Sequence, residues 1–126
     1  MDQGHVGENT AMTIKTEKSV YDKPEHADGL RVLVMRTWPR GISKEKVDVW
    51  FKDVGTEMEL IHLWKEGKVT WGEFSRRYVA SLKGKENILR ELATKSKKGT
   101  ITLLCTDKDP NRCHRTLLKK EIEKYL

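Results

Sequence analysis

The chain has 126 residues, 37% of them hydrophobic, which is enough to build one core and makes a second domain unnecessary. Twenty-five Lys and Arg against nineteen Asp and Glu give a formal charge of +6 and a pI near 9.3, a balance that attracts polyanions or anionic metabolites and equally serves plain solubility. No apolar run approaches the roughly 18 residues of a membrane span, and the amino end lacks the positive region and apolar stretch of a secretory signal.

The expectation is therefore a cytoplasmic chain with no membrane partner, whose two cysteines, Cys105 and Cys113, stay reduced. The charged fraction of 35%, with Gln3 the one glutamine and asparagine only at 9, 87 and 111, leans towards a thermophilic composition.

Residues 1–12 are small and polar with two glycines and no periodicity, and read as a flexible tail that carries His5 and no function. The domain is expected over 13–126. Alternation through Ile14, Thr16, Ser19 and Tyr21 predicts a first strand, ended by Pro24. Arg31–Arg36 is a near-continuous apolar run between Asp28-Gly29 and Trp38-Pro39-Arg40-Gly41, the pattern of a central strand buried on both faces. Ser43 is placed to cap a short helical turn, with Val47, Val49, Trp50 and Phe51 either helical or extended.

Thr56-Glu57-Met58-Glu59 matches a capping box ahead of a helix with Leu60, Ile61 and Trp64 on one face, stopped by Gly67. Thr70-Trp71-Gly72-Glu73 repeats the box, and Trp71, Phe74, Tyr78 and Leu82 mark a second helix. Ile88, Leu89, Leu92 and Ala93 define a third, ending in Lys95, Lys97 and Lys98 before Gly99. Thr100–Cys105 predicts a second buried strand, and Leu117, Leu118, Ile122 and Tyr125 the core face of a last helix. Trp50, Trp64 and Trp71 are expected in the core, and Glu57, Glu59, Glu66 and Glu73 as first-turn and surface charges rather than an acid/base pair.

Strand, helices, strand, helix in that order gives an α/β fold class: one compact domain with a small, mainly parallel sheet flanked by helices. Ligands of such sheets bind beyond the carboxyl ends of the strands, which here are Arg36–Gly41 and Cys105–Lys108. If the two strands are neighbours, these loops converge. The first offers Arg36 and Arg40 for charge and Trp38 for stacking. The second offers Lys108, Arg112 and Arg115 at the amino end of a helix, where unpaired N–H groups and the macrodipole favour anions.

On a helix, Arg112 and Arg115 lie away from the Leu117–Leu118–Ile122 face and are expected to point to the turn or to solvent. Cys113 and His114 lie four residues before core leucines, so they are either a buried small thiol with an imidazole that caps backbone groups, or a helix-start thiolate and its partner. A cysteine-dependent phosphatase needs arginine after five intervening residues. Arg112 follows Cys105 after six, with Asp107 and Asp109 between, so that reading is set aside. No paired ligand spacing points to zinc, and neither metal nor cofactor is expected.

Arg31-Val32-Leu33-Val34, Trp38-Pro39-Arg40-Gly41, Ser43-Lys44-Glu45, Trp50-x-Lys52-Asp53, Phe74-x-x-Arg77-Tyr78 and the final strand-turn-helix together resemble the YeaO-like uncharacterised family, domain of unknown function 488. The resemblance spans roughly Thr13 to Leu126 and implies a compact α/β domain, without supplying a reaction. Met35 departs from it, standing where relatives carry aspartate before the arginine. The residues themselves favour a site for a phosphate-containing or other anionic ligand, such as a nucleotide, with Cys113 and His114 as the groups available for chemistry. A nucleic-acid-binding module without catalysis and a protein-interaction domain are the alternatives.

Overall fold

The computed structural model describes residues 13–126; the tail expected over 1–12 lies outside the described residues. Four strands, β1 (Ile14–Lys15), β2 (Leu30–Leu33), β3 (Val49–Trp50) and β4 (Ile101–Leu104), form one parallel sheet in the order β1-β4-β2-β3. The two apolar runs pair directly, Leu30 with Ile101 through Leu33 with Leu104. They sit in the middle of the sheet because only a strand covered on both faces can carry apolar residues at successive positions.

The two faces are unequal. Val32 and Leu103 point into a large core shared with Leu60, Phe74, Tyr78, Leu92, Leu118 and Ile122, which come from α1 (Met58–Lys65), α2 (Trp71–Ser81), α3 (Glu86–Lys98) and α4 (His114–Glu123). Leu33 and Leu104, one residue on, point to the opposite side into a smaller cluster with Val20 and Ile42, roofed by Trp38 and Val47. The alternation of the pleat thus assigns one face to helices and the other to loops.

Several local expectations are met. The box at α2 forms in both directions: the Thr70 hydroxyl accepts from the Glu73 amide at 3.1 Å, and the Glu73 carboxylate accepts from the Thr70 amide at 3.1 Å. The three lysines close α3 ahead of Gly99. After α1 the chain turns at Gly67 with φ of 71°. Ser43 precedes a single 3-10 turn, Lys44–Lys46, and the following apolar group is extended as β3.

Three expectations are corrected. The first strand is only Ile14–Lys15; the chain then bends, with the Asp22 carboxylate accepting the Ser19 amide at 2.9 Å and Val20 donating to the Cys105 carbonyl at 2.8 Å. The box at Thr56 does not form: α1 is capped at Glu57, and Thr56 is buried with its hydroxyl unpartnered, because Gly55 packs against the backbone of Met35 and Arg36 and carries Thr56 in with it. Trp50 is not core. It lies 39% exposed on the edge strand, donating to the Met35 carbonyl at 2.6 Å and standing edge-on to Trp38. Among the described residues no helix is long and apolar enough to cross a membrane.

Gly29, at the entry to β2, has φ of 62°, and a side chain there would collide with the carbonyl of Thr100. Gly29→Ala is expected to lower the unfolding free energy by about 1–3 kcal/mol. Urea denaturation followed by circular dichroism measures it, and an unmoved midpoint would contradict the close approach of β2 to β4 at this point.

Candidate functional site

Because β2 and β4 are hydrogen-bonded neighbours running the same way, the loops that follow them emerge side by side. They enclose a cavity of about 330 Å³ with α1 as its far wall. Met35, Arg36 and Thr37 come from the first loop and Cys105, Thr106 and Asp107 from the second. Arg112, Cys113 and His114 come from the start of α4, and Ile61, Trp64 and Lys65 from α1. Three of these side chains are cations, Arg36, Lys65 and Arg112, against one carboxylate, Asp107. Burial holds the Asp107 carboxyl above its ordinary value, reinforced by negative charge on Cys113 and opposed by Arg115.

The candidate residues divide. Arg36, Arg112, Cys113 and His114 meet at this cavity. Arg36 anchors its Nε on the Gly55 carbonyl at 3.0 Å, and Arg112 is exposed at the end of a 3-10 turn, Pro110–Arg112. Trp38 belongs to a different groove beside Trp50 on the opposite sheet face, and its indole is tied to the Ile42 carbonyl at 2.8 Å. Arg40 and Lys108 are exposed and do not line the cavity.

Arg115 corrects the helical-wheel expectation most sharply: it has 0% exposure and points inward. Its guanidinium donates to the Lys18 carbonyl, to the Asp107 carbonyl at 2.9 Å, and through Nε to Cys113 Sγ at 3.2 Å. Among the described residues no carboxylate forms an ion pair with it. Arginine keeps its charge, and a buried charge without a counter-charge costs several kcal/mol. Among the described residues its guanidinium hydrogen-bonds one side chain, Cys113, and its charge also acts on the Asp107 carboxyl.

The surroundings of the two cysteines agree. Cys105 Sγ and Cys113 Sγ are free thiols 2.9 Å apart, with their residues 2% and 1% exposed. The hydrogen bond between the two sulfurs lowers the Cys113 pKa; burial opposes it, while His114 and Arg115 lower it further. Cys105 is pushed up for the complementary reason, its bond to Cys113 first and burial second. The two thiol pKa values are thus driven apart, Cys113 below its ordinary value and Cys105 above it.

His114 is fixed from its far side. Nε2 lies 2.6 Å from the Val34 carbonyl, which only accepts, so that nitrogen carries the proton and Nδ1 faces Cys113 Sγ at 3.6 Å. The edge of Tyr78 holds the ring at 5.4 Å, and the Tyr78 hydroxyl donates to the Val54 carbonyl at 2.7 Å. Cys105, Cys113 and His114 also place three metal-ligating atoms within 4.8 Å of one another. Two thiolates on one tetrahedral zinc would stand about 3.8 Å apart, farther than the 2.9 Å between these two sulfurs.

Lys65, Tyr78 and the Val34 carbonyl are parts of the site that the sequence reading missed. No local pattern distinguishes them, since Lys65 reads as a cation closing a helix and Tyr78 reads as core. The contact of the two cysteines, eight residues apart, likewise had no local signal.

Comparison with known proteins gives a consistent relationship. A family profile described as "Active DUF488-N3 subclade" matches residues 14–126. The Escherichia coli (strain K12) protein named "Uncharacterized protein YeaO" is 37% identical over 103 residues, covering 80% of this chain and 90% of YeaO. "Uncharacterized protein Rv3073c" of Mycobacterium tuberculosis (strain ATCC 25618 / H37Rv) is 33% identical over 101 residues, covering 79% of this chain and 85% of that protein. No solved structure matches the chain.

Arg115→Met keeps most of the side-chain volume and removes the buried cation. It leaves two carbonyls and a thiolate without their donor, and is expected to cost about 2–5 kcal/mol of stability in denaturant unfolding. A cost under about 1 kcal/mol would mean that the guanidinium and the sulfur are not a mutually dependent pair.

Proposed function

The chain belongs to the YeaO-like DUF488 family, and on that footing we propose that its cavity binds a small molecule bearing a phosphate or other anionic group and that Cys113 attacks it as a thiolate. The observation that carries this reading is the contact of the buried Arg115 guanidinium with Cys113 Sγ at 3.2 Å, beside a second thiol at 2.9 Å. A thiolate is the nucleophilic form of cysteine, and such centres are found in electropositive pockets at helix starts.

Each remaining residue has a role in this reading. Arg36 and Arg112 bind the ligand's charge at the rim, with Lys65 opposite. His114, held by Val34, presents Nδ1 to the sulfur and orients it. Arg115 is a positioning residue that acts through Cys113, because Cys113 lines the cavity and Arg115 does not. The word "Active" in the family description accords with a working nucleophile. Free thiols in a hydrogen-bonded pair suit a reducing, cytoplasmic setting.

Alkylation with iodoacetate, read residue by residue by mass spectrometry, tests the proposal. Cys113 is expected to react at least about tenfold faster than Cys105. Its rate should hold nearly constant as pH falls from about 8 to 6, whereas a free thiol of pKa about 8.5 loses close to tenfold per unit. The sign follows from the lowered pKa, because the thiolate population stays full until pH approaches the depressed value. Arg36→Ala or Arg112→Ala should slow the anionic iodoacetate several-fold more than neutral iodoacetamide. Equal, slow modification of both cysteines would end this reading.

A further inference from the structure

The cysteine pair is more than a nucleophile with a neighbour. A second thiol stands 2.9 Å from the Cys113 sulfur. From there it can attack that sulfur once Cys113 carries a group that makes it electrophilic, and a mixed disulfide is such a group. A phosphoryl or acyl adduct has its electrophilic centre one bond further away.

The asymmetry of the pair assigns the order. Cys113 has Arg115 Nε at 3.2 Å and the His114 ring beside it, whereas Cys105 receives only the Asp107 amide at 3.4 Å. Both sulfurs border the cavity, so an incoming molecule meets the thiolate and the thiol in one place. The sulfurs need to close by about 0.9 Å to reach the disulfide bond length of about 2.05 Å. The connecting chain, whose residues Asp107, Lys108, Asp109 and Asn111 are exposed, is a loop that can absorb such a shift.

Resting on the nucleophilic reading of Cys113, we infer that Cys113 is an attacking thiol and Cys105 its resolving partner, and that the site reduces small anionic disulfides. In the first step Cys113 Sγ attacks one sulfur of the substrate, forming the Cys113–substrate S–S bond and breaking the substrate's own. The first thiolate leaves past the cations Arg36 and Arg112. In the second step Cys105 gives up its proton to that departing thiolate and attacks Cys113 Sγ, forming the Cys105–Cys113 bond and expelling the second half of the substrate as a thiolate. Two electrons pass from the protein to the substrate, one thiol and one thiolate leave, and the protein ends as an intramolecular disulfide. The anionic preference comes from three cations lining the cavity against one carboxylate.

The reduced full-length chain, mixed with one equivalent of the dianionic aromatic disulfide dithiobis(nitrobenzoate), gives the decisive stoichiometry. Two equivalents of coloured thiolate should be released per chain, and the product should be two hydrogens lighter with no aromatic group retained. Cys105→Ser should release one equivalent and keep the aromatic adduct on Cys113. Cys113→Ser should react at least about tenfold more slowly. The wild-type mass decides the matter even if either variant folds poorly. A stable adduct on Cys113 of the wild-type chain would overturn the resolving role of Cys105 and leave the nucleophile standing. No reaction at Cys113 would overturn both readings, and a zinc ion copurifying with the chain and shielding both thiols would overturn the exchange reaction.

Discussion

A positive charge sealed inside the protein organises this site. Arg115 reaches three separate pieces of chain: the segment after β1 through Lys18, the loop after β4 through Asp107, and the start of α4 through Cys113. Five N–H donors on a rigid fork suit such a junction, since they can serve carbonyls on two separate segments and a sulfur at once. What the carbonyls do not provide is neutrality. The Cys113 sulfur meets that charge at 3.2 Å, and the contact helps to hold its pKa below the ordinary value in a buried place.

The sheet determines where this junction sits. Parallel pairing in register brings Leu33 opposite Leu104, so Val34 and Cys105 follow side by side. There the Val34 carbonyl receives Nε2 of His114, which fixes the imidazole against the thiolate. The helices then close three sides, and the fourth is the cavity lined by Arg36, Lys65 and Arg112. The cavity lies beyond the carboxyl ends of the strands, the position at which open parallel sheets commonly place ligands. Membership of the YeaO-like DUF488 family adds relatives to this picture, and the chemistry proposed for it comes from the geometry of the residues.

Much of the scaffold could be read from the chain because it depends on local pattern. The runs at Arg31 and Thr100 are apolar at successive positions, which only a doubly covered strand tolerates, and Gly29, Gly67 and Gly99 mark real boundaries. Legibility failed where tertiary contacts outweighed local preference. Thr56 has the residues of a capping box, yet Gly55 draws it under the loop after β2 and the helix begins later. Trp50 has the composition of a core residue but falls on an edge strand two residues long. For the site, convergence of the two loops followed from strand order. The inward turn of Arg115 did not, because a helical wheel shows which direction a residue faces and not what waits to receive its charge. Nor could spacing show that Cys105 and Cys113 touch, since that depends on how the Asp107–Arg112 turn folds back.

NMR titration of the chain carrying isotope-labelled cysteine Cβ atoms, with the two signals assigned by Cys105→Ser, tests directly whether Cys113 is the counter-ion of Arg115. If it is, a thiolate-type Cys113 signal is seen at neutral pH and does not change until well below the ordinary thiol value of about 8.5, beside a Cys105 signal that stays in its thiol form. A Cys113 signal in the thiol form at neutral pH, titrating near the ordinary value, would contradict it.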